Sequence, residues 1–524
     1  MRIVSLSEMN EIEDKMKKDF HLSEETIIEN VGRGVAEFLD KNYSSKELTY
    51  LFILGYGNNG ADGMCAARYL SNMGYNVRAF LFGDESKKTD SFNKQMSIAE
   101  SFEVKGNRVD SAASVESFIL QTNGECIIID CLFGTGVRLP LADEIYELIQ
   151  VINDRSDFTI SLDIPTGVET DTGAVEGSAI RADLTLSVGF PKIGCFQGNG
   201  VNYVGKLENI EIGIPRQLKA GNKVLAGISD VIDTARLRSK FADKRFFGHT
   251  LLLGGSHGKT GSLVLSSEAA LRVGAGLATG ATWEAQYLEF TSRLIPEIKT
   301  GFIPIEDTKW DNLIEGLSNY DSIVVGPGLG VSARSRRLVH KVLESYQGPV
   351  VVDADAINVL DVEQDAVLLQ NRLNPTILTP HCGEMASFFN VNEKEVHDNP
   401  IKFLKKAIEL TNAFIILKGP CTYLGFPSGK IYLNYSPNAG MATGGVGDVL
   451  AGILGGLIAQ DNNIKKNVSK FDKMVSLDKT ILLSVVLHSR AGHFASIDLG
   501  ERYMSAKSII DSLPRAFEEI KQYA

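Results

Sequence analysis

The hydrophobic positions of the first fifty residues have the spacing of two amphipathic helices followed by a buried strand. Met9, Ile12 and Met16 recur at helical intervals on one face, and the apolar positions 27, 28, 31, 35 and 38 form a second such set. The apolar run Leu-Thr-Tyr-Leu-Phe-Ile-Leu at 48–54 is typical of a strand that is covered on both faces of a parallel sheet. The pattern therefore predicts two helices that lead into a buried strand.

Short apolar runs then alternate with helical segments along both halves of the chain. These strand-like runs lie at 126–129, 158–162, 182–192 and 205–214 in the first half, and at 250–253, 322–325, 350–352, 376–378 and 414–417 in the second. Strands that alternate with helices indicate parallel sheets flanked by helices. A polar, glycine-containing segment at 214–225 separates the two halves. We therefore predict an α/β protein of two domains, at 1–217 and 226–524.

Composition narrows the functions that such a protein can have. The 524 residues hold 53 Lys and Arg against 65 Asp and Glu, and the net charge of −12 disfavours nonspecific binding to nucleic acid. The six cysteines form no Cys-x-x-Cys pair, so neither a zinc site nor a disulfide framework is predicted. The polar start lacks a signal-peptide core, and no apolar run approaches the roughly 18 residues of a membrane span. We expect a cytoplasmic protein that binds neither nucleic acid nor membranes.

Three glycines, at 444, 445 and 447, come directly before Asp448 and a long apolar segment at 449–459. Without Cβ atoms, such a turn lets backbone N–H groups surround an anion at the start of a helix, and a phosphoryl group would fit there. Asp448, in the first turn, could accept a proton from an attacking hydroxyl. A glycine turn with Asp as a simple N-cap also fits the pattern. We favour a phosphoryl-transfer site with Asp448 as its base.

A second glycine turn, Gly-Tyr-Gly-Asn-Asn-Gly-Ala-Asp-Gly at 55–63, follows the first strand and precedes a predicted helix at 64–73. It matches the Gly-x-Gly-x-x-Gly fingerprint of dinucleotide binding, and Asp84 lies roughly where the ribose-binding acid belongs. The match alone is weak evidence. Asn58, Asn59 and Asp62 are unusual in a turn whose only task is to let the backbone approach the pyrophosphate of a dinucleotide.

Asp130 and Asp163 each follow a predicted strand of the first half. The carboxyl ends of strands are where ligands bind in a doubly wound sheet, so Asn59, Asp130 and Thr166 could converge there. Oxygen donors of this kind suit a hard, weakly held cation. The alternative is that both acids only cap the turns that follow them. Lys192 could touch a phosphate, a reacting ring or only solvent, and the sequence leaves this open.

Further motifs in the second half accompany the glycine turn at 444–447. They are Gly-Gly-Ser at 254–256, Ala-Ala-Leu-Arg-Val-Gly-Ala-Gly-Leu at 269–277, Gly-Pro-Gly-Leu-Gly at 326–330, Val-Asp-Ala-Asp-Ala-Ile-Asn at 352–358, Leu-Thr-Pro-His-Cys-Gly-Glu at 378–384 and Leu-Lys-Gly at 417–419. Together they resemble the ribokinase-like dehydratase domain of the NAD(P)H-hydrate repair proteins. The turn at 55–63 resembles the epimerase half of the same proteins, with Ala61 where their pattern has a second consecutive Gly. The resemblance covers nearly the whole chain.

The resemblance implies the residues of two sites. For a Rossmann-like first domain with Asp163 as a catalytic residue, the implied ligand contacts are Asn58, Asn59, Gly60, Ala61, Asp62, Gly134, Thr135, Gly136, Val137, Arg138, Leu139 and Pro140. The implied potassium ligands are Asn59, Asp130 and Thr166. For a ribokinase-like second domain with Asp448 as a catalytic residue, the implied contacts are Ala275, Gly328, His381, Lys418, Gly419, Pro420, Cys421, Thr422, Gly444, Gly445 and Gly447.

The function implied by the resemblance is the repair of nicotinamide nucleotides that have added water at ring carbon C6. The first domain would interconvert the R and S hydrates of NADH and NADPH. The second would dehydrate the S form with ADP as co-substrate, giving AMP and phosphate, with magnesium at the nucleotide phosphates. We also expect a homo-oligomer.

Two other functions fit parts of the chain. A sugar or hydroxymethylpyrimidine kinase would share the Gly-x-Gly-Asp sequence but would leave the first 215 residues unexplained. The first domain could also be a noncatalytic module that binds a nucleotide or a protein. An assay with common kinase acceptors tests the first alternative, and epimer exchange by the separate first domain tests the second.

Overall fold

A computed structural model of the protein describes residues 1–122, 125–234, 242–467 and 476–523, without the side chains of 464–467. The chain forms two compact units, Met1–Lys223 and Val224–Ala524. The division between them falls inside the polar segment at 214–225 that separates the two series of predicted strands. Each unit has its own sheet and its own hydrophobic core.

The N-terminal unit is a doubly wound α/β sandwich. Its helices are α1 (Leu6–Asp19), α2 (Glu24–Asn42), α3 (Asn58–Asn72), α4 (Asp90–Ser101), α5 (Ala112–Gln121) and α6 (Asp143–Arg155). Its strands are β1 (Thr49–Leu54), β2 (Asn76–Leu81), β3 (Gly106–Arg108), β4 (Cys126–Cys131), β5 (Phe158–Leu162), β6 (Leu184–Val188) and β7 (Lys206–Ile210). Within the described residues they form one parallel sheet in the order β3-β2-β1-β4-β5-β6-β7.

Strand β1 shows why the first sheet is covered on both faces. All six of its residues are buried. Tyr50, Phe52 and Leu54 belong to one core cluster, and Leu51 and Ile53 belong to another on the opposite face. Side chains alternate between the two faces of a strand, so this division requires helices on both sides of the sheet. This is why the apolar run at 48–54 is continuous and does not alternate with polar residues.

The C-terminal unit is built on a larger mixed sheet. Its strands are β8 (Lys223–Leu225), which begins at the last residue of the N-terminal unit, and β9 (His249–Gly254), β10 (Leu277–Trp283), β11 (Lys299–Ile303), β12 (Ser322–Val325), β13 (Val350–Val352), β14 (Thr376–Leu378), β15 (Phe414–Leu417), β16 (Cys421–Gly425) and β17 (Ile431–Tyr435). In the part of the chain that the structure describes, their order is β11-β10-β9-β12-β13-β14-β15-β16-β17-β8. The sheet is parallel from β11 to β15, and β15, β16 and β17 pair antiparallel.

Helices cover this second sheet. They are α7 (Thr260–Arg272), α8 (Tyr287–Thr291), α9 (Asp311–Gly316), α10 (Ala333–Ser345), α11 (Asp355–Asn358), α12 (Val362–Gln370), α13 (Cys382–Phe389), α14 (Glu393–Asp398), α15 (Pro400–Thr411), α16 (Val446–Asn467), α17 (Leu477–Leu499) and α18 (Ala506–Gln522). Residues of α7, α16, α17 and α18 pack together in the core of this unit. Among the described helices, none combines the length and the apolar character that crossing a membrane requires.

The structure corrects the predicted start of the helix after β1. The sequence places the helix at 64–73, whereas α3 begins at Asn58, directly after Gly57. Residues 58–62 are therefore its first turn and not part of a loop. Gly60 makes this early start possible, because a Cβ atom there would collide with the carbonyl oxygen of Gly55 at the end of β1. The helix amino end is thus pressed against the strand it follows.

Candidate active sites

The candidate site of the N-terminal unit lies where its strand order reverses, between β1 and β4. In doubly wound sheets, ligands bind beyond the carboxyl ends of the strands at such a point. A cavity of about 1140 Å³ lies there. The residues of the predicted site that line it are Asn58, Asn59, Asp62, Gly134, Thr135, Gly136, Val137, Arg138, Pro140 and Asp163. Gly60 and Ala61 are buried in the first turn of α3, and Leu139 is half-buried beside the lining residue Pro140.

Asp163 forms a buried ion pair with Lys192 in this cavity. The Lys192 ammonium donates to Asp163 Oδ1 and, at 2.8 Å, to the carbonyl oxygen of Val188. Lys192 is only 1% exposed, so it is neither a surface residue nor free to move toward solvent. Asp163 itself has a positive φ of 72°, a backbone conformation that costs a non-glycine residue energy and is concentrated at functional sites. The structure thereby gives Lys192 a specific partner that the sequence does not reveal.

Asp130 and Thr166 are in direct contact behind the cavity. Asp130 is fully buried and accepts hydrogen bonds from the Thr166 hydroxyl at 2.7 Å, the Thr166 N–H at 2.9 Å and the Ser161 hydroxyl at 2.8 Å. Burial raises the pKa of Asp130, and these hydrogen bonds oppose that rise. Asn59 and Asp163 both lie close to Gly134. A Cβ at Gly134 would be 3.3 Å from Asn59 Cγ and 3.4 Å from Asp163 Oδ2.

Two further acids share the cavity lining, and one of them was not predicted. Asp62 is half-buried, and its buried Oδ1 has no hydrogen-bond partner among the described residues. Burial raises its pKa well above the ordinary range, with Asp163 and Glu13 adding to the rise. Glu13 reaches the same cavity from α1. The signal in the sequence was a polar stripe at 10, 13 and 17, at helical spacing beside the apolar face of α1.

The candidate site of the C-terminal unit centres on the amino end of α16. Gly445 has a φ of 92°, and the helix begins one residue later, so Asp448 lies in its first turn. Burial raises the pKa of Asp448 to about 7, the charge of Asp353 adds to the rise, and a hydrogen bond with Ser262 opposes it. A carboxyl group of this kind is present in both protonation states near neutral pH, which suits a general base.

Lys418 lies beside this helix end. Its ammonium donates to Asp353 Oδ1 at 2.8 Å and lies 3.7 Å from Glu384 Oε2. A Cβ at Gly447 would be 3.3 Å from Lys418 Nζ, so the cation stands against the glycine turn. Asp353 is 1% exposed, and its Oδ2 has no hydrogen-bond partner among the described residues. A cation, helical N–H groups and carboxylates therefore meet at one point, as phosphoryl transfer requires.

His381 caps the helix α13 at the same sheet edge. Its Nδ1 accepts from the N–H groups of Gly383 at 3.0 Å and Glu384 at 3.3 Å. Its side chain is 57% exposed and pairs at 3.3 Å with Glu384. A backbone bridge joins His381 to Lys418. The hydrogen bonds that cap α13 therefore hold the imidazole of His381 in place, next to Lys418.

The other predicted residues of this unit divide between the site and the opposite end of the sheet. Gly328 has a φ of 61° and packs so closely on Lys259 that a Cβ would collide with its carbonyl oxygen. Residues 419–422 form the turn and first positions of the β15–β16 hairpin, with the Cys421 side chain buried. Ala275 lies two residues before β10, at the amino end of that strand, and the structure does not bring it to Asp448. The reason is that α7 carries the chain from one sheet edge to the other.

Two families match the chain in succession. The family described as YjeF-related protein N-terminus matches residues 24–194, and the family described as NAD(P)H-hydrate dehydratase matches residues 250–515. The bifunctional NAD(P)H-hydrate repair enzyme Nnr of Moorella thermoacetica is 30% identical over 539 aligned residues, which cover 100% of this chain and 98% of that protein. The enzyme of the same name from Escherichia coli is 29% identical over 89% of this chain and 84% of that protein.

A solved structure is also similar to the C-terminal part of the chain. The ADP/ATP-dependent NAD(P)H-hydrate dehydratase of Bacillus subtilis, co-crystallized with ATP/Mg²⁺, is 25% identical and covers 57% of this chain and 100% of that protein, with a TM-score of 0.49. The two family matches fall on the two units in chain order, and the alignment with the relative from Moorella thermoacetica covers both units. The chain therefore belongs to the family of bifunctional NAD(P)H-hydrate repair enzymes.

Proposed function

We propose that the N-terminal unit interconverts the R and S hydrates of NADH and NADPH, and that the C-terminal unit dehydrates the S hydrate with ADP. The observation that carries the proposal is that each unit has its own functional acid, Asp163 or Asp448, at the carboxyl edge of its own sheet. Residues 1–217 and 226–524 would hold these two activities. The expected homo-oligomer and cytoplasmic location stay predictions.

In the dehydration step, Asp448 accepts the proton of the C6 hydroxyl while that oxygen attacks the terminal phosphorus of ADP. AMP leaves, and the hydroxyl has become a phosphate ester. The lone pair of the ring nitrogen then expels phosphate from C6, and loss of a proton from the neighbouring carbon restores NAD(P)H. Burial and Asp353 keep the pKa of Asp448 near 7, where it can accept and release protons.

The nucleotide phosphates would be held by the amino end of α16, by the N–H groups of the glycine turn at 444–447 and by Lys418. The unpartnered Oδ2 of Asp353 is a hard oxygen donor of the kind that magnesium prefers, so the residues present fit a magnesium–nucleotide complex. Bound magnesium would neutralise phosphate charge. Asp353 would then keep Lys418 oriented toward the phosphates.

The residues predicted for potassium also fit a weakly held cation. Asp130 and Thr166 supply oxygen, and the terminal amide nitrogen of Asn59 is buried without a partner in the described structure. Because the two ends of an amide are assigned from their hydrogen bonds, a cation near Asn59 would favour the opposite orientation with the oxygen inward. Among the described residues there is no cluster of three or more His, Cys, Asp and Glu side chains suited to a metal. Neutral oxygens around one carboxylate favour potassium over a transition metal.

The co-substrate is tested by incubating the protein with the S hydrate, magnesium and either ADP or ATP, and by separating the nucleotides afterwards. We expect one AMP and one phosphate for each NAD(P)H recovered with ADP. Recovery of the nicotinamide absorbance without consumption of nucleotide would contradict the proposal. So would the absence of recovery with both nucleotides.

The cation is tested with the variant Asp130→Ala in buffers that contain potassium or sodium. We expect slower epimerisation and loss of its dependence on potassium, because the variant removes the only charged ligand of the three. Dehydration of the S hydrate by the same protein is the control and should be unchanged. An equal loss of both activities would contradict a separate cation site in the N-terminal unit.

A further inference from the structure

The helix α1 presents a polar stripe to the cavity of the N-terminal unit. Asn10, Glu13 and Lys17 line the cavity, while Ile12 and Met16 are buried in the core on the other side of the helix. The stripe follows the three- and four-residue spacing of one helix face. It lies outside the matched family segment, which begins at residue 24. The polar side of α1 is therefore a part of the cavity wall that lies outside the matched family segment.

Glu13 has no partner within the described structure, although cations are near it. Lys17 forms an ion pair of 3.3 Å with Glu24, which also accepts from Asn58 at 3.2 Å. Lys192 is bound to Asp163. Glu13 itself makes no hydrogen bond or ion pair with any residue that the structure describes, and it is half-buried. Glu13 is thus a carboxyl group of the cavity wall that is accessible from the cavity and has no cationic partner among the described residues.

The surroundings of Glu13, above all its burial, raise the pKa of its carboxyl group. Burial raises its pKa, Lys192 and Lys17 oppose that rise, and Asp163 and Glu24 add to it. The half-buried Asp62 lines the same cavity and adds no positive charge. Asp163, in contrast, has the Lys192 ammonium on its carboxylate. Two acids whose surroundings differ in this way supply a proton donor and a proton acceptor in one site.

We propose that Glu13 is a catalytic residue of the epimerisation. It acts as the proton donor, and Asp163, which lines the same cavity, acts as the proton acceptor. The inference rests on the proposed epimerase function. Glu13 gives its proton to the C6 hydroxyl, the C6–O bond breaks, and water leaves while the ring nitrogen lone pair forms a C=N bond. Water then adds to the other face of the planar carbon, and Asp163 takes the proton that it releases. The proton that Glu13 loses is matched by the proton that Asp163 gains, and proton exchange with solvent restores both residues before the next turnover. In the reverse reaction the two residues exchange roles.

The test compares Glu13→Gln with Glu11→Gln in the full-length protein. Glu11 is on the same helix but exposed, in a surface ion pair with Lys15, so its variant makes the same chemical change outside the cavity. We expect Glu13→Gln to slow epimerisation by about 10²–10⁴-fold, the usual range for a general acid, with little change in KM. Glu11→Gln should epimerise at the wild-type rate, and both variants should dehydrate the S hydrate normally.

Two readouts separate proton transfer from a merely structural role. The fall of kcat/KM at high pH, which reports the loss of the donor proton, should disappear in Glu13→Gln. Water labelled with heavy oxygen should enter C6 during epimerisation by the wild type, because the original hydroxyl leaves. An unchanged rate or pH profile in Glu13→Gln, or retention of the original oxygen, would overturn the inference. A wild-type protein that does not epimerise at all would instead overturn the proposed function.

Discussion

At the scale of single residues, both sites use acids whose charge is only partly balanced. Asp448 shares Lys418 with Asp353 and Glu384, so one cation faces three carboxyl groups. Asp163 has Lys192 to itself, but Glu13 and Asp62 stand in the same cavity without a cation of their own. Surface acids differ from these. Glu11, for example, is exposed and paired with Lys15, and solvent screens its charge. Local charge imbalance is therefore a feature that the acids proposed as functional have in common.

The variant Asp448→Asn tests the base of the dehydratase site. It keeps the shape of the side chain and its ability to lie at a helix amino end, but it cannot accept the hydroxyl proton. We expect dehydration to fall by about 10²–10⁴-fold, while nucleotide binding and epimerisation persist. Rates with the S hydrate and binding isotherms for ADP measure the two effects. Near wild-type dehydration with normal binding would exclude Asp448 and would make His381 the next candidate.

The pH dependence of dehydration tests the environment of Asp448. Because its pKa is raised to about 7, the active carboxylate form should increase as the pH rises through that value. We expect kcat/KM to rise with pH and to level off above about 7. Removing the neighbouring charge in Asp353→Asn should lower the pKa and move the rise to lower pH. A profile that is flat from acidic to neutral pH, or one that moves upward in Asp353→Asn, would contradict this assignment.

At the scale of elements, each site depends on a helix whose amino end is pressed against a strand or a turn. The first turn of α3 lies against the end of β1, and α16 starts directly after Gly445 in the left-handed region. In both cases glycine allows the approach, since a Cβ at Gly60 or Gly445 would meet the carbonyl of Gly55 or the side chain of Leu265. The positive ends of these helices therefore face the ligand regions.

Replacing Gly445 by Ala tests the start of α16. The φ of 92° and a contact of 2.5 Å between the new Cβ and Leu265 Cδ1 predict a loss of about 1–2 kcal/mol in the free energy of unfolding. Gly444→Ala is the matched control, because its Cβ would meet nothing within 4 Å and its φ is not positive. Denaturant titration of both variants measures the difference. Equal stability of the two would contradict the role given to Gly445.

The element pattern also shows what could be predicted from the sequence. Strands at 158–162, 322–325, 350–352, 376–378 and 414–417 were predicted with the bounds that the structure has, because they are short, mostly apolar runs whose residues are almost all buried. Strand β2 was missed because Asn76 and Arg78, two of its first three residues, are polar or charged and exposed. The antiparallel hairpin of β16 and β17 was missed because helix and strand alternation predicts parallel neighbours only.

The sites were predictable to the extent that their residues stand in local motifs. Asp163 and Asp448 follow glycine turns or strands that can be read directly from the chain. Lys192 and Glu13 could not be assigned, because their meaning comes from contacts with elements that are distant in sequence. Ala275 also stands in a motif, but the structure places it at the amino end of β10 and not beside Asp448, and its ligand contact stays a prediction.

At the scale of the whole molecule, two units with separate sheets and cores should act independently. Fragments 1–223 and 224–524 follow the observed division. We expect each to fold, the first to epimerise the hydrates without nucleotide and the second to dehydrate only the S hydrate. Circular dichroism and activity assays measure both properties. A C-terminal fragment that folds but dehydrates nothing with ADP or ATP would contradict two separate sites.

The most direct test of two-site repair starts from the purified R hydrate, which needs both activities. With ADP and magnesium, the wild-type protein should restore the nicotinamide absorbance completely, and faster than spontaneous epimerisation allows. Asp163→Asn and Asp448→Asn should each fail alone, yet an equal mixture of the two variants should restore the absorbance, because each supplies the site that the other lacks. Failure of the mixture, or restoration by the wild type without nucleotide, would contradict the two-site assignment.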